Sequence, residues 1–196
     1  MVVPLPDRAV TAACLFGKLP AHGDFIARGM SASRKALLDG WMASSLARAQ
    51  ERFPADWSER FDRAAPWYFV APAADGFEAG AISPSIDRAG RRFPVFASII
   101  VPTCESAVPA AVHVLSCLYS AIAQGHGSDE LMAQLERGPD AGLAPAIEAP
   151  AQLDAPQWWV VDVDGALVER IEGGHPSELF TLMLELTQDE DEDAAT

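Results

Sequence analysis

The chain has 196 residues, 49% of them hydrophobic, enough for the packed core of one domain without disulfides or metal. Its formal net charge of −14 is uneven: residues 1–100 carry 12 basic and 10 acidic side chains, residues 101–196 only 2 basic and 18 acidic. Such a chain repels phosphate backbones and anionic lipid, which argues against general nucleic-acid or membrane binding.

The opening MVVPLPDRAV lacks the basic and apolar regions of a secretory signal, so residues 1–12 read as an N-terminal extension of a cytoplasmic protein. A strand over Ala13–Phe16 breaks at Gly17 and Pro20. Leu38, Trp41, Met42, Ser45, Leu46 and Ala49 then recur at three- and four-residue steps. This spacing predicts a helix over Arg34–Arg52, capped by Ser31 or Ser33 and weakened by Gly40. Asp56 and Glu59 have the spacing of a capping box for a short helix ending at Arg63.

The centre reads as strands at Trp67–Val70, Gly80–Ser83 and Val95–Val101, with a polar loop over Pro84–Arg92. The run Phe96–Val101, interrupted only by Ser98, marks a strand covered on both faces. A helical stripe follows over Pro109–Gln124, with Pro109 near its first turn and Gly125 as its stop. Its mostly apolar stretch, Ala110–Ala123, is too short to span a bilayer. A second helix, Ser128–Arg137, has Ser128 as cap and Gly138 as stop, and Pro139–Gln157 is an irregular connector.

Trp158–Val163 and Ala166–Ile171 form a hairpin around Asp164-Gly165, a pair that takes positive φ angles readily. Pro176–Leu186 is the last helix, and the acids Asp189–Asp193 lie in a self-repelling tail over residues 188–196. Strands and helices alternate throughout. The expected fold is therefore a single-domain α/β/α sandwich over residues 13–187, its mixed, substantially antiparallel sheet covered by helices on both faces.

Two polar segments are candidates for function. Gly17-Lys18-Leu19-Pro20-Ala21-His22-Gly23-Asp24-Phe25 couples glycine with lysine, but the spacing is not that of a phosphate-binding Walker loop. Either Lys18 and Asp24 face a partner, or Asp24 caps the turn and pairs with Lys18 or Arg28. Pro84-Ser85-Ile86-Asp87-Arg88-Ala89-Gly90-Arg91-Arg92-Phe93-Pro94 is the most basic stretch. Its arginine forks suit carboxylate or phosphate; alternatively, Asp87 pairs internally with Arg88 or Arg91.

Catalysis and metal binding find little support. Ser83 or Ser85 with a histidine and an aspartate makes a triad only on paper, without a GxSxG elbow. His22, His113, His126 and His175 lack metal-ligand spacing, and Cys14, Cys104 and Cys117 form no CxxC pair. The cysteines read as reduced thiols, and no cofactor is implied. Trp41, Trp57, Trp67, Trp158 and Trp159 read as core and edge-packing residues.

Taken together, FGKLPAHGDF at Phe16–Phe25, APWYF at Ala65–Phe69, PSIDRAGRRFP at Pro84–Pro94, the Trp158-Trp159 pair and the Leu179-Phe180 helix resemble the TagF family of type VI secretion accessory proteins, over residues 13–186. His22, Gln157 and the acidic tail are outside the recognised pattern. Some relatives carry this domain fused to a protein phosphatase, whose metal-binding aspartate motifs are absent here.

The resemblance implies a cytosolic, non-enzymatic protein that restrains the secretion apparatus after translation, through the FHA-domain scaffold of the system. Lys18, Gly23, Asp24, Ser85, Asp87, Arg88 and Arg91 are then the candidate partner-binding or structural residues. Two other readings stay open: a small phosphate- or nucleotide-handling enzyme using Asp24, Asp87 and the loop arginines, and a structural assembly factor.

Overall fold

The computed structural model describes residue 10 and residues 12–139, 147–151 and 153–187. Most of the N-terminal extension, part of the Pro139–Gln157 connector and the acidic tail fall outside these residues. The described chain runs β1 (Ala12–Gly17), β2 (Ile26–Arg28), α1 (Ala32–Arg52), α2 (Trp57–Arg63), β3 (Trp67–Ala73), β4 (Gly76–Ser83) and β5 (Val95–Val101). It continues through α3 (Cys104–Gln124), α4 (Ser128–Arg137), β6 (Gln157–Val161), β7 (Leu167–Glu172) and α5 (Leu179–Glu185).

The strands form one seven-stranded sheet in the order β2-β1-β5-β4-β3-β6-β7, with helices on both faces. Every pairing is antiparallel. β5 lies between β1 and β4, inside the sheet as its apolar run requires.

Alternation along the strands sorts two different cores. On one face Ala79, Ala81 and Ala97 meet Ala107, Ala110, Ala111 and Val114 of α3, where small side chains bring helix and sheet close together. On the other face Phe16, Trp67, Phe69, Phe96 and Trp158 meet α1, α2 and α5. The adjacent tryptophans split between the two. Trp158 packs 4.4 Å from Phe69 and donates its indole N–H to Gly173 O at 3.0 Å, whereas Trp159 stacks on Tyr68 at 5.4 Å.

Several boundaries differ from the sequence reading. α3 begins at Cys104, a turn and a half before Pro109, so the proline lies inside the helix. Its missing N–H would have met the carbonyl of exposed Glu105. At 21 residues α3 has the length and composition of a membrane-crossing segment, yet its apolar stripe is a wall of the core. Ser31, not Ser33, caps α1, accepting the Arg34 N–H at 3.2 Å.

At α2, Asp56 makes no side-chain cap; its carboxylate is drawn instead to Arg60 Nε at 2.7 Å. The last hairpin is wider than a two-residue turn. Asp162 Oδ1 accepts N–H groups from Asp164 and Ala166, each at 2.9 Å, while Gly165 takes φ 84°. α5 starts at Leu179, three residues after Pro176, whose carbonyl accepts the Trp41 indole N–H at 3.0 Å.

Trp158 joins β6, β3, α1 and the β7–α5 loop, so Trp158→Ala is expected to lower the unfolding free energy by about 3–5 kcal/mol. Urea denaturation followed by circular dichroism checks this.

Candidate functional site

Sheet register brings the two polar segments together. Val95, the first residue of β5, pairs with Gly17 on one side and with Ser83 on the other. The loop leaving β1 and the loop joining β4 to β5 therefore emerge from the same end of the sheet. Gly17 has φ 127° there, and a Cβ on it would lie 2.1 Å from Pro94 O; only glycine fits this crossing.

Asp87 is the centre of the junction. Its side chain has no exposed surface, and four donors meet its two oxygens. Oδ1 accepts the backbone N–H of Ala89 at 2.9 Å and of Arg91 at 3.0 Å. Oδ2 receives Arg91 Nε at 2.7 Å and the buried Lys18 ammonium at 3.0 Å. Gly90, with φ 76°, lets the chain turn tightly enough to aim these amides inward. Burial alone would raise the Asp87 pKa, but the hydrogen bonds from Arg91, Lys18 and Ala89 outweigh it and hold the carboxyl well below the usual range.

The arginines complete the tie. Arg88 donates its backbone N–H to His22 O at 2.8 Å and its guanidinium to Ala21 O at 2.5 Å. Arg91 reaches the carbonyl of Gly23 and stands 3.8 Å from Asp24. Arg92 grips Asp62 of α2 through two bonds of 2.7 and 2.6 Å. Aromatic packing closes the seam, with Phe25 edge-on to Phe93 at 4.7 Å and under the Lys18 ammonium at 5.0 Å.

The seven candidate residues thus divide. Lys18, Ser85 and Asp87 are buried; Gly23, Asp24, Arg88 and Arg91 are exposed. Ser85 contributes its carbonyl, which accepts the Phe93 N–H at 3.1 Å, and its hydroxyl has no partner among the described residues. Asp24 pairs with neither Lys18 nor Arg28: Lys18 turns to Asp87, and Arg28 lies 3.6 Å from Asp129. Exposed Phe25 and Ile86 add apolar surface beside the arginines. The cavities of about 420 and 590 Å³ that border the sheet are lined by none of the seven.

Two features escaped the sequence reading. His22, outside the recognised pattern, accepts the Ser128 N–H on Nε2 at 3.0 Å. Gly127 is the residue at the N-cap of α4 and offers no side chain, so His22 caps the helix from the other loop in place of Ser128. No local sequence signal marks such a long-range cap. The second feature is a polar chain under α1: Cys14 Sγ meets Ser98 Oγ at 3.0 Å, Ser98 donates to Glu78, and Glu78 receives Arg34. Burial pushes the Cys14 thiol pKa up, and Cys117 is raised to about 11, again by burial; neither thiol is activated.

Because the Asp87 pKa is depressed, its stabilising contribution is present above the ordinary carboxylate range, near pH 4, and is lost as pH falls below it. Asp87→Asn is expected to unfold more easily at neutral pH and to lose part of the acid-dependent slope between about pH 4 and 2. Urea midpoints of both proteins across that range check this.

Comparison with known proteins follows the same residues. The TagF N-terminal domain family, type VI secretion system-associated, matches residues 14–136, more than half of the chain and including both loops. The crystal structure of PA0076 from Pseudomonas aeruginosa PAO1 superposes with a TM-score of 0.65 and 22% identity, covering 88% of this chain and 94% of that one, and so shares the fold. No curated protein matches. Trp158-Trp159 and the Leu179-Phe180 helix lie beyond the matched segment. The chain belongs to the TagF N-terminal-domain family of type VI secretion system-associated proteins.

Proposed function

We propose that the protein is a non-enzymatic cytosolic regulator that represses assembly of the type VI secretion system by binding another protein, the FHA-domain scaffold being the partner that the family suggests. The observation that carries this reading is the state of Asp87. Its oxygens already hold Lys18, Arg91 and two backbone amides, and it has no exposed surface.

A general base must reach the proton it takes, and a phosphate site needs donors that are free. Here the charged groups are spent on each other, which counts against a phosphate- or nucleotide-handling enzyme built on Asp87. What the junction leaves outside is a fixed surface of Gly23, Asp24, Phe25, Ile86, Arg88 and Arg91. Mixed aromatic, aliphatic and arginine surface of this kind favours protein contact. A preorganised surface also binds with less ordering cost than mobile loops do. Assembly assistance is the second reading, since the same surface serves a factor that promotes building as well as one that blocks it.

Deletion and overexpression in the host, reading secretion of the tube protein, separate these. Repression predicts more secretion on deletion and less on overexpression; assistance predicts less on deletion. No change in either direction removes both. Arg88→Glu with the fold intact is expected to cut co-purification of the scaffold by roughly fivefold or more, and unchanged recovery takes this loop out of the interface.

A further inference from the structure

On the aromatic face of the sheet, between α1 and the segment Gly174–His175, lies a recess of about 420 Å³, within the size range of small-ligand sites. Phe69, Phe96 and Trp158 wall it, and Leu37 of α1, half exposed, lines it from above the sheet. One side is formed by Arg34 and Glu78. Their ion pair engages Glu78 Oε1, which also accepts from Ser98. Oε2 and the remaining guanidinium N–H groups have no partner among the described residues.

This pairing constrains what the recess can hold. An anion alone gains from Arg34 but is repelled by Glu78, and a cation alone meets the reverse. A molecule carrying both charges on neighbouring atoms satisfies both groups at once. The apolar part of the lining is half-exposed Leu37 together with the edges of the nearly buried Phe69, Phe96 and Trp158, and it favours a hydrophobic body behind that head. The N-terminal end of α1, a 21-residue helix, adds positive potential where a carboxylate would lie beside Arg34.

We propose that the recess binds a small zwitterion with an aromatic or branched apolar body, an α-amino acid in its free form. The ammonium group bonds Glu78 Oε2, the carboxylate bonds the free Arg34 N–H groups, and the side chain packs on Leu37 and on the edges that Phe69, Phe96 and Trp158 turn to the recess. The site is separate from the loop surface, so it stands or falls independently of the secretion phenotype.

The test is calorimetric titration of the purified full chain with L-phenylalanine, alongside phenethylamine and 3-phenylpropanoate, which keep the ring and one charge each. Phenylalanine is expected to bind one site with half-saturation roughly in the millimolar range or tighter, and each single-charge analogue at least about tenfold more weakly. Arg34→Met removes the carboxylate partner. Leu37→Trp narrows the recess from a half-exposed helical position and keeps the test valid should Arg34→Met fail to fold. Each folded variant is expected to weaken binding by about tenfold or more. No saturable heat up to tens of millimolar, equal affinity for the three compounds, or unchanged affinity in folded Leu37→Trp overturns the proposal.

Discussion

The Asp87 carboxylate lies out of water at the point where two loops meet, and the architecture of that end of the molecule follows from keeping it ionised. A buried charge without partners is strongly unfavourable. Lys18 therefore comes inward from one loop, and the amides of Ala89 and Arg91 converge from the other. Neither segment forms this arrangement alone. The lysine would be a buried cation without the aspartate, and the aspartate would lose its partner from the β1–β2 side without the lysine.

Sheet register makes that meeting possible. Antiparallel pairing of Gly17 and Ser83 with the same residue, Val95, sets the two loops side by side although more than sixty residues separate them. The two faces of the sheet then do different work. The alanine-lined face lets α3 settle closely and bury its stripe. The aromatic face packs against α1, α2 and α5 and borders the recess beside Arg34 and Glu78. His22 carries the loop junction onward to α4, so the surface is tied to the sheet, to α2 through Arg92, and to α4 through the histidine.

Periodicity made the layers legible. The stripe from Leu38 to Ala49 and the apolar run of β5 signal burial locally, and both elements stand where that burial puts them. The segments that carry the family likeness were legible too, because their glycines, lysine and arginines are unusual in sequence. Their roles were less so. A string of residues does not reveal that Lys18 crosses to Asp87 while Asp24 stays exposed, since that choice is made by strand register. Helix ends differ from the reading where another group displaces the expected cap: Arg60, one turn on, draws the Asp56 carboxylate, and His22, from a distant loop, takes the place of Ser128. Glu78, Ser98 and Cys14 showed no motif because they come together only across neighbouring strands.

The most direct measurement is amide hydrogen exchange of Arg88, Ala89 and Arg91 in the free protein. If the buried carboxylate fixes the loops, these three amides exchange slowly, on the timescale of core strands, even though they belong to an exposed loop. Exchange as fast as that of an unstructured peptide would show that the loops are not locked, and the account of a preformed binding surface would fail.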